Sequence, residues 1–130
     1  MTPQILLYNI EPAHKNKIKR LLLQLKIRAR VIEKEQYKSP VGILAGLSLL
    51  SLTPGEMPAL SEALTDFSEE MLVFCFLEDA TLNRFLSGLR KSGIRIPYKA
   101  VLTPVNACWN SLLLYQEISA EHKAMHGLNK

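Results

Sequence analysis

Met71-Leu72-Val73-Phe74-Cys75-Phe76-Leu77 decides how this chain folds. The run is apolar at both parities, which marks a strand covered on both faces and so placed at the centre of a sheet. Ile5-Leu6-Leu7-Tyr8-Asn9-Ile10 reads the same way, with no polar residue until Asn9, and gives a second central strand. After it, Glu11-Pro12 opens a helix, since proline is tolerated in the first turn. Ile18, Leu21, Leu22 and Leu25 form its apolar stripe, and Lys15, Lys17, Lys19, Arg20 and Lys26 fill the remaining positions. Beyond Leu77, Asp79 caps a second helix with Leu82, Phe85, Leu86 and Leu89 inward and Gly93 as its stop.

Two weaker strands complete the sheet. Ile27–Lys34 alternates Ile27, Ala29 and Val31 against Arg28 and Arg30, a half-exposed strand suited to an edge. Lys99–Thr103 is the fourth strand, halted by Pro104, which cannot donate to a ladder. A last helix is expected from about Ala107 to Met125, ending before Gly127, with Leu114, Tyr115, Ile118, His122 and Met125 on one face.

The order β-α-β, insert, β-α-β-α predicts an α+β protein. The expected arrangement is a ferredoxin-like β-α-β-β-α-β sandwich with an additional C-terminal helix. A four-stranded mixed or parallel α/β sheet is the alternative. The first two helices cover one sheet face, and the final helix or a second copy of the chain covers the other, so a twofold homodimer is expected if the final helix leaves that face bare. Residues 1–130 read as a single domain with a flexible acidic insert at about 47–66, where Pro54, Gly55 and Pro58 break regular structure. Pro40–Leu47 is either a short helix or a tight apolar loop. No internal repeat is visible.

The net charge of +4 conceals blocks. Residues 1–38 carry nine Lys or Arg against three Glu, and residues 39–80 carry seven acids and no base. The remainder is basic again, which suits a basic surface for phosphates or nucleic acid, or simply the solvated faces of amphipathic helices. No apolar run is long enough for a membrane span. With two cysteines, Cys75 and Cys108, and no secretory leader pattern, the expectation is a cytoplasmic chain with free thiols.

The stretch Ile96 to Asn110 concentrates the polar chemistry. Lys99, Thr103, Asn106 and Trp109, with the amides of residues 107–109, would meet at a strand end if Asn106 capped a helix there. Free helix-start amides beside an ammonium favour an anion. The plainer reading has Asn106 as a cap and Trp109 as core. Gly42 and Gly46, four apart, offer a small-residue face for close backbone approach. Other chemistry is sparse: no phosphate loop, nucleophile elbow or Cys-x-x-Cys occurs. His122 and His126 have the spacing of a metal pair but lack an evident third ligand, and neither a metal nor a cofactor is expected. Adjacent Glu69 and Glu70 point to opposite faces of a strand. Tyr8, Phe74 and Phe76 could stack RNA bases, but the basic-Gly-aromatic opening of such domains is missing, so nucleic acid is not the expected partner.

Leu6-Leu7-Tyr8-Asn9, Pro40-Val41-Gly42-Ile43-Leu44-Ala45-Gly46, Phe67-Ser68-Glu69-Glu70-Met71-Leu72-Val73-Phe74 and Ile96 to Asn106 together resemble a small bacterial family catalogued only as a domain of unknown function. The resemblance covers most of the chain and least of all Leu47–Asp66. It implies a bacterial, cytoplasmic protein and carries no activity. It points to Gly42, Gly46, Lys99, Thr103, Asn106 and Trp109, while Ala107-Cys108 is less polar than a phosphate-binding turn of that kind would need. The expected function is a non-enzymatic module that binds a small anionic ligand or a partner protein. An enzyme of unidentified chemistry is the alternative, and an RNA-binding domain a lesser one.

Overall fold

A sheet of four strands, β1 (Gln4–Tyr8), β2 (Arg28–Val31), β3 (Met71–Cys75) and β4 (Tyr98–Val101), is ordered β2-β1-β3-β4. The computed structural model describes residues 2–128, with side chains to Met125. As expected, the two doubly apolar runs supply the central strands, and every residue of β1 and β3 is buried. The class is α+β, and its element order is consistent with a ferredoxin-like fold carrying a C-terminal helix. Within each half the two strands are direct parallel neighbours, β1 with β2 and β3 with β4, while β1 and β3 run antiparallel. The sheet is therefore mixed.

Chain contacts divide the protein into two compact units, residues 1–31 with 69–101, and residues 32–68 with 102–130. The first holds the sheet with helices α1 (Pro12–Gln24) and α3 (Asp79–Lys91). Ile5, Leu7, Leu72 and Phe74 on one sheet face pack with Ile18 and Leu22 of α1 and Phe85 and Leu89 of α3. Both helices therefore cover the same face, because each stripe of i, i+3 and i+4 residues needs an apolar floor. The alternate residues Leu6, Tyr8, Val73 and Cys75 are also buried within the single chain.

The two halves of this unit are a structural repeat, which the sequence conceals. Gln4 corresponds to Met71, Pro12 to Asp79 and Gln24 to Lys91, and both helices have 13 residues. Each central strand is followed by a residue with positive φ, Asn9 at 55° and Phe76 at 60°. Each helix is then preceded by an extended glutamate, Glu11 or Glu78, rather than by Asp79 as the cap. Each ends alike: Ile27 N–H donates to Leu22 O and Ile94 N–H to Leu89 O, with Lys26 and Gly93 at positive φ. That is a Schellman ending in both cases, with Gly93 the expected stop. In the antiparallel pair Leu6 lies opposite Val73, its own counterpart, so a local twofold relates the halves.

Strand β2 is shorter than expected and exposed at all four residues. Ala29 and Val31 are not inward. The burial anticipated for them falls instead on Ile27 and Ile32, which flank the strand.

The second unit contains α2 (Val41–Leu44) and α4 (Ser111–Leu128) with three short 3-10 turns, Lys34–Gln36, Leu49–Ser51 and Asn106–Cys108. Residues 52–70 form neither helix nor strand. Part of this acidic stretch is tied to α4: Ser61 N–H donates to Gln116 Oε1 at 2.7 Å, and Gln116 Nε2 donates to Ala59 O at 2.9 Å. Three rings stack in its core, Tyr37 on Phe67 at 4.7 Å and Phe67 on Tyr115 at 4.2 Å between centroids. The last helix starts at Ser111, not Ala107. Asn110 is its cap, its Oδ1 accepting Leu113 N–H at 2.9 Å. Among its described side chains only the first five are buried, and Met125 is exposed.

Candidate functional site

The strand-to-helix turn is built differently from the expectation. Strand β4 stops at Val101, before Thr103. Asn106 does not cap a long helix; it opens a 3-10 turn of three residues. Its Oδ1 accepts Thr103 N–H at 2.9 Å, and its own N–H donates to Thr103 Oγ1 at 3.1 Å. Of the amides expected to meet an anion, Ala107 N–H donates to Thr103 O and Trp109 N–H to Asn106 O. Thr103 and Asn106 thus satisfy one another, and the Ala107 and Trp109 amides are taken up within the turn. Trp109 is half-buried, its carbonyl accepts Val41 N–H, and its indole Nε1 is buried without a hydrogen bond.

Gly42 and Gly46 do not share a face. Gly42 lies in α2 against the 3-10 turn, where an added Cβ would come 2.9 Å from Ala107 O and 2.8 Å from Leu52 Cδ2. Gly46 follows the helix with φ of 95° and nothing near its absent Cβ. The first is a close approach and the second a helix ending. Gly42→Ala is expected to cost about 1–3 kcal/mol, because the obstacle includes backbone, which cannot swing aside as a leucine tip can. Denaturant titration checks this, and a loss below about 0.5 kcal/mol would show that the turn yields freely.

Lys99 sits in the sheet unit. It lines a cleft of about 280 Å³ with Arg90 and Arg95, above apolar walls from Leu86, Leu89 and Ile96. Its ammonium donates to the Ile96 carbonyl. Partial desolvation and the like charge of Arg95 hold its pKa below the ordinary lysine value. No acid lines the cleft, and among the described residues none of the three cations pairs with a carboxylate. The sequence contained these arginines, but their convergence depends on the Schellman ending at Gly93 that folds Arg95 back beside Arg90.

A second polar constellation joins distant parts of the chain. Glu70, just before β3, accepts Glu11 N–H at 3.1 Å through Oε2, and the same oxygen lies 2.8 Å from His14 Nδ1. Asn9, in its left-handed conformation, donates from Nδ2 to Glu69 O at 3.2 Å and so fixes the loop that carries Glu70. Sequence separation of more than 50 residues hid this grouping.

The remaining candidates resolve individually. Both cysteines are free thiols. Burial pushes the Cys75 thiol up to about 12, so it stays protonated and inert. Cys108 lies in the 3-10 turn rather than a helix start, and its Sγ donates to Thr53 O at 3.3 Å. His122 is half-buried on α4, while the side chain of His126 lies outside the described residues. Tyr8 and Phe74 are buried, so neither is available for stacking a base. Among the described residues no helix is long and apolar enough to cross a membrane.

Residues 70–125 match the family model described as Domain of unknown function (DUF3783). The match takes in β3, α3 and β4 and most of α4, a narrower span than the resemblance read from the sequence. It includes Glu70, Arg90, Arg95 and Lys99 and excludes Glu11 and His14. Neither a curated protein nor a solved structure matches the chain.

Proposed function

We propose that this protein is a non-enzymatic module that binds a small anion, a phosphate or carboxylate metabolite, in the cleft of Arg90, Arg95 and Lys99. The observation that carries the reading is three cations around one cleft with no acid among its lining residues. Holding like charges together is unfavourable, and the pKa of Lys99 is lowered first by its partial burial and then by the like charge of Arg95, so its charged form is kept at a cost. An anion in the cleft would relieve it, and the apolar walls of Leu86 and Leu89 would strengthen the attraction by excluding water. Charge follows the units. The sheet unit holds twelve Lys or Arg against five acids, and the other unit four against seven. A basic unit draws anionic ligands by its field as well as by contact. The two free thiols support a reducing, cytoplasmic setting.

The test is a thermal-shift titration with phosphate, citrate and nucleotides against chloride of equal ionic strength. At least one anion is expected to raise the melting temperature of the unmutated protein at millimolar concentration. Lys99→Met and Arg95→Gln are each expected to remove most of that rise. No rise above the chloride control, or an unchanged rise in both variants, would defeat the reading.

A second reading keeps the anion at the Thr103–Trp109 turn, because the buried Trp109 Nε1 makes no hydrogen bond and a buried donor gains from an acceptor. Asn106→Ala separates the two. Under the cleft reading this variant loses stability through the turn and keeps the full anion-induced shift. Under the turn reading the shift disappears.

A further inference from the structure

Glu11, His14 and Glu70 bring one ligand atom each within 4.8 Å of one another. We infer that they form a binding site for a first-row divalent metal ion of the Zn²⁺ type. One imidazole nitrogen and two carboxylate oxygens are donors such an ion accepts, and three protein ligands leave a fourth position open. Glu11 is the extended residue that enters α1 and His14 lies in its first turn, so the two stand at the same end of the helix. Glu70 arrives from the loop before β3, held by the hydrogen bond from Asn9 to its neighbour Glu69.

The repeated architecture separates what the fold needs from what it does not. Glu11 has a counterpart in Glu78 before the second helix, and neither side chain makes a capping hydrogen bond, so its presence alone does not set the first half apart. The counterparts of His14 and Glu70 are Thr81 and Pro3, neither of which can reproduce the contact. The second half folds the same strand, turn and helix without them. The imidazole–carboxylate pair at 2.8 Å is therefore an addition to one half only. Glu70 and His14 are also partly shielded from solvent, with side chains 13% and 25% exposed, while Glu11 lies on the open side. Partial shielding strengthens a cation's attraction to the carboxylates while leaving it a route of entry. The inference does not depend on the anion cleft, since the two share no residue.

Calorimetric titration of the untagged 130-residue chain with Zn²⁺ tests it, with Co²⁺ as a spectroscopic probe. One ion per chain is expected, with absorption of bound Co²⁺ reporting nitrogen and oxygen ligands. His14→Ala and Glu70→Gln are each expected to weaken Zn²⁺ binding about tenfold or more. Exposed Glu11→Gln should weaken it while leaving the metal-free melting temperature unchanged, which keeps the test valid if either of the others folds poorly. His122→Ala should bind as the unmutated chain does. No saturable binding at one ion per chain, unaltered affinity in Glu11→Gln and His14→Ala, or loss of binding in His122→Ala would overturn the site.

Discussion

Phe85→Ala is expected to lower the unfolding free energy by about 3–5 kcal/mol. Phe85 has no exposed surface. Its ring meets Phe74 of the central strand edge-on, with centroids 5.9 Å apart at 69°. The alanine would leave a cavity between α3 and the sheet that neighbouring residues cannot collapse into, because β3 is held on both sides by ladder bonds. Ile18 occupies the equivalent place in α1, so Ile18→Ala should cost a similar or slightly smaller amount, about 2–5 kcal/mol. Urea denaturation followed by circular dichroism measures both. A loss below about 1 kcal/mol at Phe85 would mean that the helix–sheet contact is not the core described here.

In the second unit the corresponding position is Phe67. It is buried and lies face to face between Tyr37 and Tyr115, with interplanar angles of 16° and 4°. Phe67→Ala removes a buried ring and both stacking contacts, and is expected to cost about 3–5 kcal/mol. Phe67→Leu keeps most of the apolar burial, so the difference between the two substitutions isolates filling from stacking. Aromatic pairs contribute about 0.5–1.5 kcal/mol each beyond the area they bury. The leucine variant should therefore fall between the unmutated chain and the alanine variant, with a loss of near-ultraviolet dichroism from the tyrosines. Equal stability of Phe67→Leu and the unmutated protein would show that the stack adds nothing to burial.

What could be read without coordinates follows from local rules. The runs at Ile5–Ile10 and Met71–Leu77 announced central strands because no edge strand can bury both faces. Pro12, Gly93 and the spacing of Ile18, Leu22, Phe85 and Leu89 announced two helices over one sheet face by the period of the α-helix. Charged Arg28 and Arg30 announced an exposed edge. Asn106 misled because an Asx residue before an apolar run is a cap in the commonest case. Here Thr103 lies close enough to answer it, and Asn110 takes the cap instead. The cleft of Arg90, Arg95 and Lys99 was legible only as Lys99, and the Glu11–His14–Glu70 group not at all.

The sequence by itself determined the class of fold, the identity of the central strands and the faces of the two sheet-packing helices. Each of these rests on interactions within a few residues or on the simple partition of apolar side chains from water. Tertiary structure alone decided the parallel pairing inside each half, the repeat that relates them, and both candidate sites. The repeat escapes the sequence because its two copies share backbone geometry and buried positions far more than residue identities. The sites escape it because their geometry is a product of chain closure. Arg90, Arg95 and Lys99 meet only once a left-handed glycine turns the chain, and Glu70 reaches His14 only when antiparallel pairing sets Tyr8 beside Met71.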